Sequence, residues 1–296
     1  MEMNGKVFVH IGLPKTATTT LQIDYFPNLQ SERIKYIGVY QPRHSKQTDE
    51  YKTFCDAVNT GGGGIDKIRQ ELMNMCNRCE VIVVSEEMFL VSEKKTRWRT
   101  KLANLSRILE GFDYKIIVTV REPISAMFSY YVERYGIFLA KGKSFIELAK
   151  NDEMMEIYHY GKLTTALFKY FKPEKIYIKK FEDLVAGEGP ETLTRLIVTD
   201  GSCKKSFKLN NHNTKNVTSQ GVYADIKSTF TYKFDLETLS VWVRRIFFPA
   251  VNLLHGSKIN DKELVVKPTQ NEINELKRHL KMENEALNKL FKIKYD

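Results

Sequence analysis

The chain has 296 residues, of which 42% are hydrophobic and 28% charged, and its formal net charge is +10. That balance describes an ordinary globular protein with a substantial core, of a size that one large α/β domain with additions can fill. The surplus of Lys and Arg suits an anionic ligand (nucleotide, polyanionic glycan, nucleic acid or membrane surface) without choosing among them. Cys76 and Cys79 form one CxxC, but no second CxxC or nearby His pair completes a zinc site. With Cys55 and Cys203 they read as reduced structural thiols, which points to a reducing compartment. No targeting segment is visible ahead of the first strand. The most apolar late stretch, 241–254, is broken by Arg244, Arg245 and Pro249 and is too short and too charged to span a bilayer. A cytoplasmic protein with no transmembrane segment and no bound metal is expected.

Short β-branched runs alternate with longer helical stretches, which predicts the α/β class: three α/β/α layers around a central, mainly parallel sheet. In chain order, strands are expected at 7–11, 81–84, 116–120 and 176–178, with a short one at 36–39. Helices are expected at 18–30, 65–77, 100–109, 124–135, 145–149, 161–170 and 270–291. The run Gly61 to Gly64 reads as a surface loop between helices. No repeat or linker divides the chain, so a single domain over 1–296 is expected. A helical insertion at about 36–79 and a C-terminal helical portion at about 223–296 would build the acceptor cleft. Each main strand runs straight into polar residues: Gly12-Leu13-Pro14-Lys15, Ser85-Glu86-Glu87, Arg121-Glu122-Pro123 and Lys179-Lys180-Phe181-Glu182. Parallel sheets bind ligands at the carboxyl ends of their strands, so the four clusters should converge on one site.

The first cluster opens the most informative segment, Gly12-Leu13-Pro14-Lys15-Thr16-Ala17-Thr18-Thr19-Thr20. Between a strand and a helix, backbone N–H groups and the helix dipole form an anion site. Gly12 permits a tight turn, Ala17 lets the backbone approach a phosphate, Lys15 adds a mobile charge, and Thr18 and Thr19 add hydroxyl donors. A Walker loop would need its second glycine at Ala17 and its lysine at Thr18, so magnesium–ATP chemistry is not supported. Further on, Arg121 opens onto a helix that carries Ser129 two turns in, and an arginine fork with a hydroxyl suits phosphate oxygens.

The first loop resembles the 5′-phosphosulfate loop, PKTGTT or PKTATT, of sulfotransferases that use 3′-phosphoadenosine 5′-phosphosulfate (PAPS). The resemblance implies a P-loop-like sulfotransferase fold, and it assigns Gly12, Pro14, Lys15, Thr16, Ala17, Thr18, Thr19 and Thr20 to the donor's 5′ end. It assigns Arg121 and Ser129 to the 3′-phosphate. Ser85-Glu86-Glu87 is similar to the SxE element of bacterial and carbohydrate-type members, where a carboxylate deprotonates the acceptor; this implies Glu87 as base beside catalytic Lys15, with Glu86 in reserve. His10, His159 and His212 remain alternative bases. Glu182 and Asp183 resemble a late, architectural turn, and Lys215 and Asn216 lie in a stretch similar to a nucleotide-covering loop. Glu283-Asn284 resembles a terminal helical element of bacterial members. The implied reaction moves the sulfonyl group of PAPS to a hydroxyl, on a carbohydrate or glycolipid by analogy, leaving 3′-phosphoadenosine 5′-phosphate (PAP) and needing no metal. A P-loop kinase and a non-catalytic nucleotide or nucleic-acid binder are the competing classes.

Overall fold

Five short apolar strands line up in one parallel sheet in the computed structural model of the chain, which describes residues 5–43, 47–93, 95–186, 189–198, 221–225 and 262–295. The strands are β1 (Lys6–His10), β2 (Ile34–Tyr36), β3 (Val81–Ser85), β4 (Asp113–Val120) and β5 (Ile176–Lys180), in the spatial order β2-β3-β1-β4-β5. Register is set residue by residue: Val9 pairs with Val84 on one side and with Ile116 on the other. The chain leaves β1 towards β3 and β2, then returns across it to β4. The carboxyl end of β1 therefore lies at the switch point where such sheets take their ligands. Pairing of the β2 segment outlasts the strand proper, since Ile37 donates to Val83 O at 3.0 Å and Val39 to Ser85 O at 3.1 Å.

The described residues fall into two compact units, one drawn from Met1–Pro123, Ile157–His212 and Met282–Asp296, the other from Ile124–Glu156 and Asn213–Lys281. In the first, alternation along the strands gives the sheet two buried faces. Phe8, Val83 and Ile117 pack against the helical run 18–29 and against α9 (Phe181–Val185) and α10 (Gly189–Ile197), through Leu21, Phe26, Leu184 and Leu193. Val7, Val9, Ile82, Val84, Ile116 and Val118 are equally buried and point the other way. There α2 (Asp49–Thr60), α3 (Gly63–Cys76), α4 (Trp98–Leu109) and α8 (Tyr160–Tyr170) form the third layer. The three-layer α/β/α expectation is met.

Several boundaries differ from the sequence reading for identifiable reasons. The run 18–29 is α-helical only over α1 (Thr18–Thr20); it widens to a π-helix at Leu21–Tyr25 and tightens to a 3₁₀ turn at Phe26–Leu29. Pro27, which has no N–H to donate, lies in that tightened turn. Helix α2 was given no bounds in the sequence reading; Thr48 caps it by accepting from Tyr51 N, and the buried Tyr51, Phe54, Ala57 and Val58 follow helical spacing. Of the glycine run, Gly61 and Gly62 take positive φ between α2 and α3, while Gly63 and Gly64 already belong to α3.

The second unit contains α5 (Pro123–Glu133) from Ile124 onward, α6 (Tyr135–Leu139), α7 (Phe145–Asn151) and an antiparallel pair, β6 (Gly221–Asp225) with β7 (Lys262–Val266). Tyr131 is its aromatic hub, with ring centroids 5.3 Å from Phe145 and 5.5 Å from Tyr135 and Phe138. Helix α11 (Gln270–Phe291) begins in this unit and ends in the first. No helix among the described residues is long and apolar enough to cross a membrane. Among them, too, no group of three or more His, Cys, Asp or Glu side chains is placed to hold a metal ion. Cys55, Cys76 and Cys79 form no disulfide, and burial pushes the Cys76 thiol up to about 11.

Candidate functional site

The loop after β1 departs from ordinary backbone geometry at two places. Lys15 and Ala17 have φ of 70° and 65°, the left-handed region that costs an L-residue roughly 1–2 kcal/mol. Such strain persists only when the surroundings over-determine it. Here they do. Thr16 Oγ1 donates to Leu13 O at 2.6 Å, Tyr158 Oη to Pro14 O at 2.9 Å, and Arg121 Nη1 to Lys15 O at 3.3 Å. With three successive carbonyls occupied in this way and left-handed residues at Lys15 and Ala17, the turn has the kind of backbone from which anion-binding nests are built. Ala17 is also the N-cap of α1 and has no side chain with which to cap the first amides. Gly12 is required by space rather than by φ: a Cβ there would lie 2.2 Å from Thr119 Oγ1 and 2.7 Å from His10 Nε2.

Beneath the loop runs a buried chain of hydrogen bonds whose direction can be worked out. The one proton of Thr16 goes to Leu13 O, so the 2.7 Å contact with Thr119 makes Thr119 the donor. His10 Nε2, 3.3 Å from Thr119 Oγ1, then carries the ring proton and donates it, and Nδ1 accepts from Ser85 Oγ at 2.9 Å. Gln22 Nε2 donates to Ser85 Oγ at 3.3 Å, and Gln41 Nε2 to Gln22 Oε1 at 2.7 Å. Burial lowers the His10 pKa to about 3, which keeps the ring neutral as this chain requires. His10 supports the loop; its place in the chain leaves no ring nitrogen for acceptor chemistry.

The two glutamates after β3 are separated by environment. Glu86 is 2% exposed and accepts from Arg43 Nη1 at 2.6 Å, Arg43 Nη2 at 2.9 Å, Met88 N at 2.7 Å and the Tyr51 hydroxyl. Burial and the Glu86 carboxylate hold the Tyr51 hydroxyl well above the usual phenol range, so Tyr51 stays a donor. Glu87, 21% exposed, turns to the loop instead: its Oε2 accepts from Thr18 Oγ1 at 2.5 Å. The 3₁₀ turn Glu87–Leu90 is held from behind by the buried Lys101, whose Nζ donates to Met88 O at 3.0 Å and meets Glu93 Oε2 at 2.5 Å.

The geometry thus brings Gly12, Pro14, Lys15, Thr16, Ala17, Thr18, Glu87 and Arg121 together in the first unit. Thr16 is spent on the loop itself, and Thr19 and Thr20 lie half-buried on the first helical turn. The Arg121 guanidinium lies over the Phe181 ring, 4.7 Å from its centroid. Glu182 accepts from Glu122 N at 3.0 Å, so its role is to cap the turn after β4. Ser129 is half-buried on α5, in the second unit. His159 is buried at the N-cap of α8. Lys215, Asn216 and His212 lie outside the described residues. Sequence reading missed Arg43, Lys101, Tyr158 and Thr119. Of these only Thr119 left a signal, a polar residue inside the apolar run Ile116-Ile117-Val118-Thr119-Val120.

A parallel sheet between two helical layers, opened by a strand, a nested loop and a helix, defines a P-loop-like α/β/α protein. No protein-family model matches the chain, and no curated protein is significantly similar to it. Among solved structures, it is similar to a sulfotransferase from Alicyclobacillus acidocaldarius at 16% identity, over 84% of this chain and 96% of that one, with a TM-score of 0.41. A sulfotransferase domain from the curacin biosynthetic pathway is also 16% identical, over 66% of this chain and 73% of that one, at 0.38. Retinol dehydratase in complex with androsterone and the inactive cofactor PAP is 12% identical, over 100% of this chain and 84% of that one, at 0.32. These likenesses are loose, and the functional reading is carried by the loop geometry.

Proposed function

We propose that the chain is a sulfotransferase that moves the sulfonyl group of PAPS to an acceptor hydroxyl. One observation carries the reading: the guanidinium of Arg121 and the carboxylate of Glu87 each hydrogen-bond to the strained, braced loop 12–18, one at Lys15 O and the other at Thr18 Oγ1. A nest with the Lys15 ammonium suits the 5′ end of a phosphosulfate donor, and a carboxylate at its edge suits the removal of an acceptor proton. In the step proposed, the acceptor oxygen bonds to sulfur as the bond from sulfur to the bridging oxygen breaks, and PAP leaves. Lys15 and the loop amides stabilise the charge gathering on the bridging and phosphate oxygens. Glu87 takes the acceptor proton. Arg121 anchors the 3′-phosphate, so that the sulfur is held in line. Ser129, Lys215 and Asn216 are assigned to the nucleotide by the family resemblance alone. A carbohydrate or glycolipid acceptor rests on the SxE resemblance and on the net charge of +10, which favours anionic glycans.

Labelled PAPS offered with a panel of oligosaccharides, glycolipids and phenols tests the reading. Label should pass to at least one acceptor class. The Lys15→Ala variant should transfer about 100-fold more slowly or worse at an almost unchanged melting temperature. Wild-type turnover in that variant would remove Lys15 from the mechanism. Stabilisation by magnesium–ATP exceeding that by PAP would point to a kinase instead.

A further inference from the structure

Resting on the assignment of Glu87 as the base, we propose that Arg43 is its positioning residue. Glu86, buried and held by Met88 N and Tyr51, fixes the guanidinium fork through two bonds of 2.6 and 2.9 Å. The remaining terminal hydrogens are then directed rather than mobile. Nη1 reaches Tyr51 Oη at 3.4 Å, and Nη2 reaches Glu87 Oε1, also at 3.4 Å. Glu87 is therefore held at both ends, Oε1 by Arg43 and Oε2 by Thr18 of the loop, so its carboxylate plane is fixed relative to the loop. The effect is geometric rather than coulombic, because Arg43 is 40% exposed and water screens its charge. Lysine could not substitute, since a single ammonium cannot fork between two carboxylates in fixed directions.

The test avoids the unidentified acceptor by using water: its oxygen bonds to sulfur, the bond to the bridging oxygen breaks, Glu87 takes the proton, and sulfate and PAP are released. Labelled sulfate from labelled PAPS is counted, and PAP affinity and melting temperature are measured alongside. Arg43→Lys, and the pair Arg43→Met with Glu86→Gln, which removes the buried carboxylate together with its partner charge, should each lower kcat about tenfold or more. KM for PAPS should stay within about twofold in both, because the donor loop is untouched. Placed on top of Glu87→Gln, which is itself slow, neither change should slow release further. Wild-type kcat in both variants, or a full additional loss on the Glu87→Gln background, overturns the role of Arg43. A wild-type protein that releases no label above buffer, or a fully active Glu87→Gln, removes the premise instead and is recognised without any Arg43 variant.

Discussion

His10 shows how one side chain can tie chemistry to stability. In the folded protein burial holds its pKa at about 3, against 6.5 for an ordinary histidine. As the pH falls the unfolded chain takes up a proton first, so folding weakens. The His10 contribution is complete above about pH 6.5 and is lost progressively towards pH 3, by roughly 1.4 kcal/mol for each unit. Urea melts of wild type and His10→Gln between about pH 7 and about pH 5 should converge as the pH drops, because glutamine does not titrate. A constant gap across that range would mean that His10 is not held neutral. The same ring, through Thr119 and Thr16, keeps Leu13 O in place, so acid that charges His10 should also release the loop.

At the scale of elements, side-chain caps matter more than propensity. Glu283, in the last turns of α11, accepts from Lys162 N at 2.9 Å and so caps the first turn of α8. That gives the terminal Glu283-Asn284 resemblance a structural meaning. Glu283→Ala should cost about 1 kcal/mol of stability and leave PAP affinity unchanged, which thermal melts and calorimetry can separate. Loss of PAP binding at full stability would place Glu283 in the site. The strands β1, β3, β4 and β5 were legible because short apolar runs rich in β-branched residues have few alternatives in a parallel sheet covered on its faces by helices. The bounds of helix α2 were legible too, from Thr48 at one end, Gly61 at the other and the spacing of Tyr51, Phe54 and Val58 between them. The loop could be read because it is local, the nine consecutive residues Gly12 to Thr20 with one chemistry. Its braces could not: Tyr158 lies 144 residues from Pro14 and Thr119 lies 103 from Thr16, and only folding brings them together. The separation of Glu86 from Glu87 was equally invisible, because it depends on which way Arg43 reaches.

The whole molecule carries a net charge of +10, and a field of that sign draws a polyanion inward before any contact forms. Association of PAP, followed by stopped flow, should slow roughly tenfold between about 0.02 M and about 0.5 M salt, because added ions screen that field. Dissociation should change far less, since contacts at hydrogen-bond distance are screened less than long-range attraction. A salt-independent association rate would mean that the positive charge is not focused on the site. The loop itself has a further consequence. Its carbonyls are held from within the turn, from the end of β4 and from the turn before α8. Ordering a slack segment on binding would cost about 1–2 kcal/mol per residue, and here that entropy is surrendered during folding. A stiff cradle gains speed and affinity but cannot reshape itself, so selectivity follows from rigidity. Nucleotides whose terminal group is longer or shorter than the cradle should be turned away by misfit rather than by repulsion.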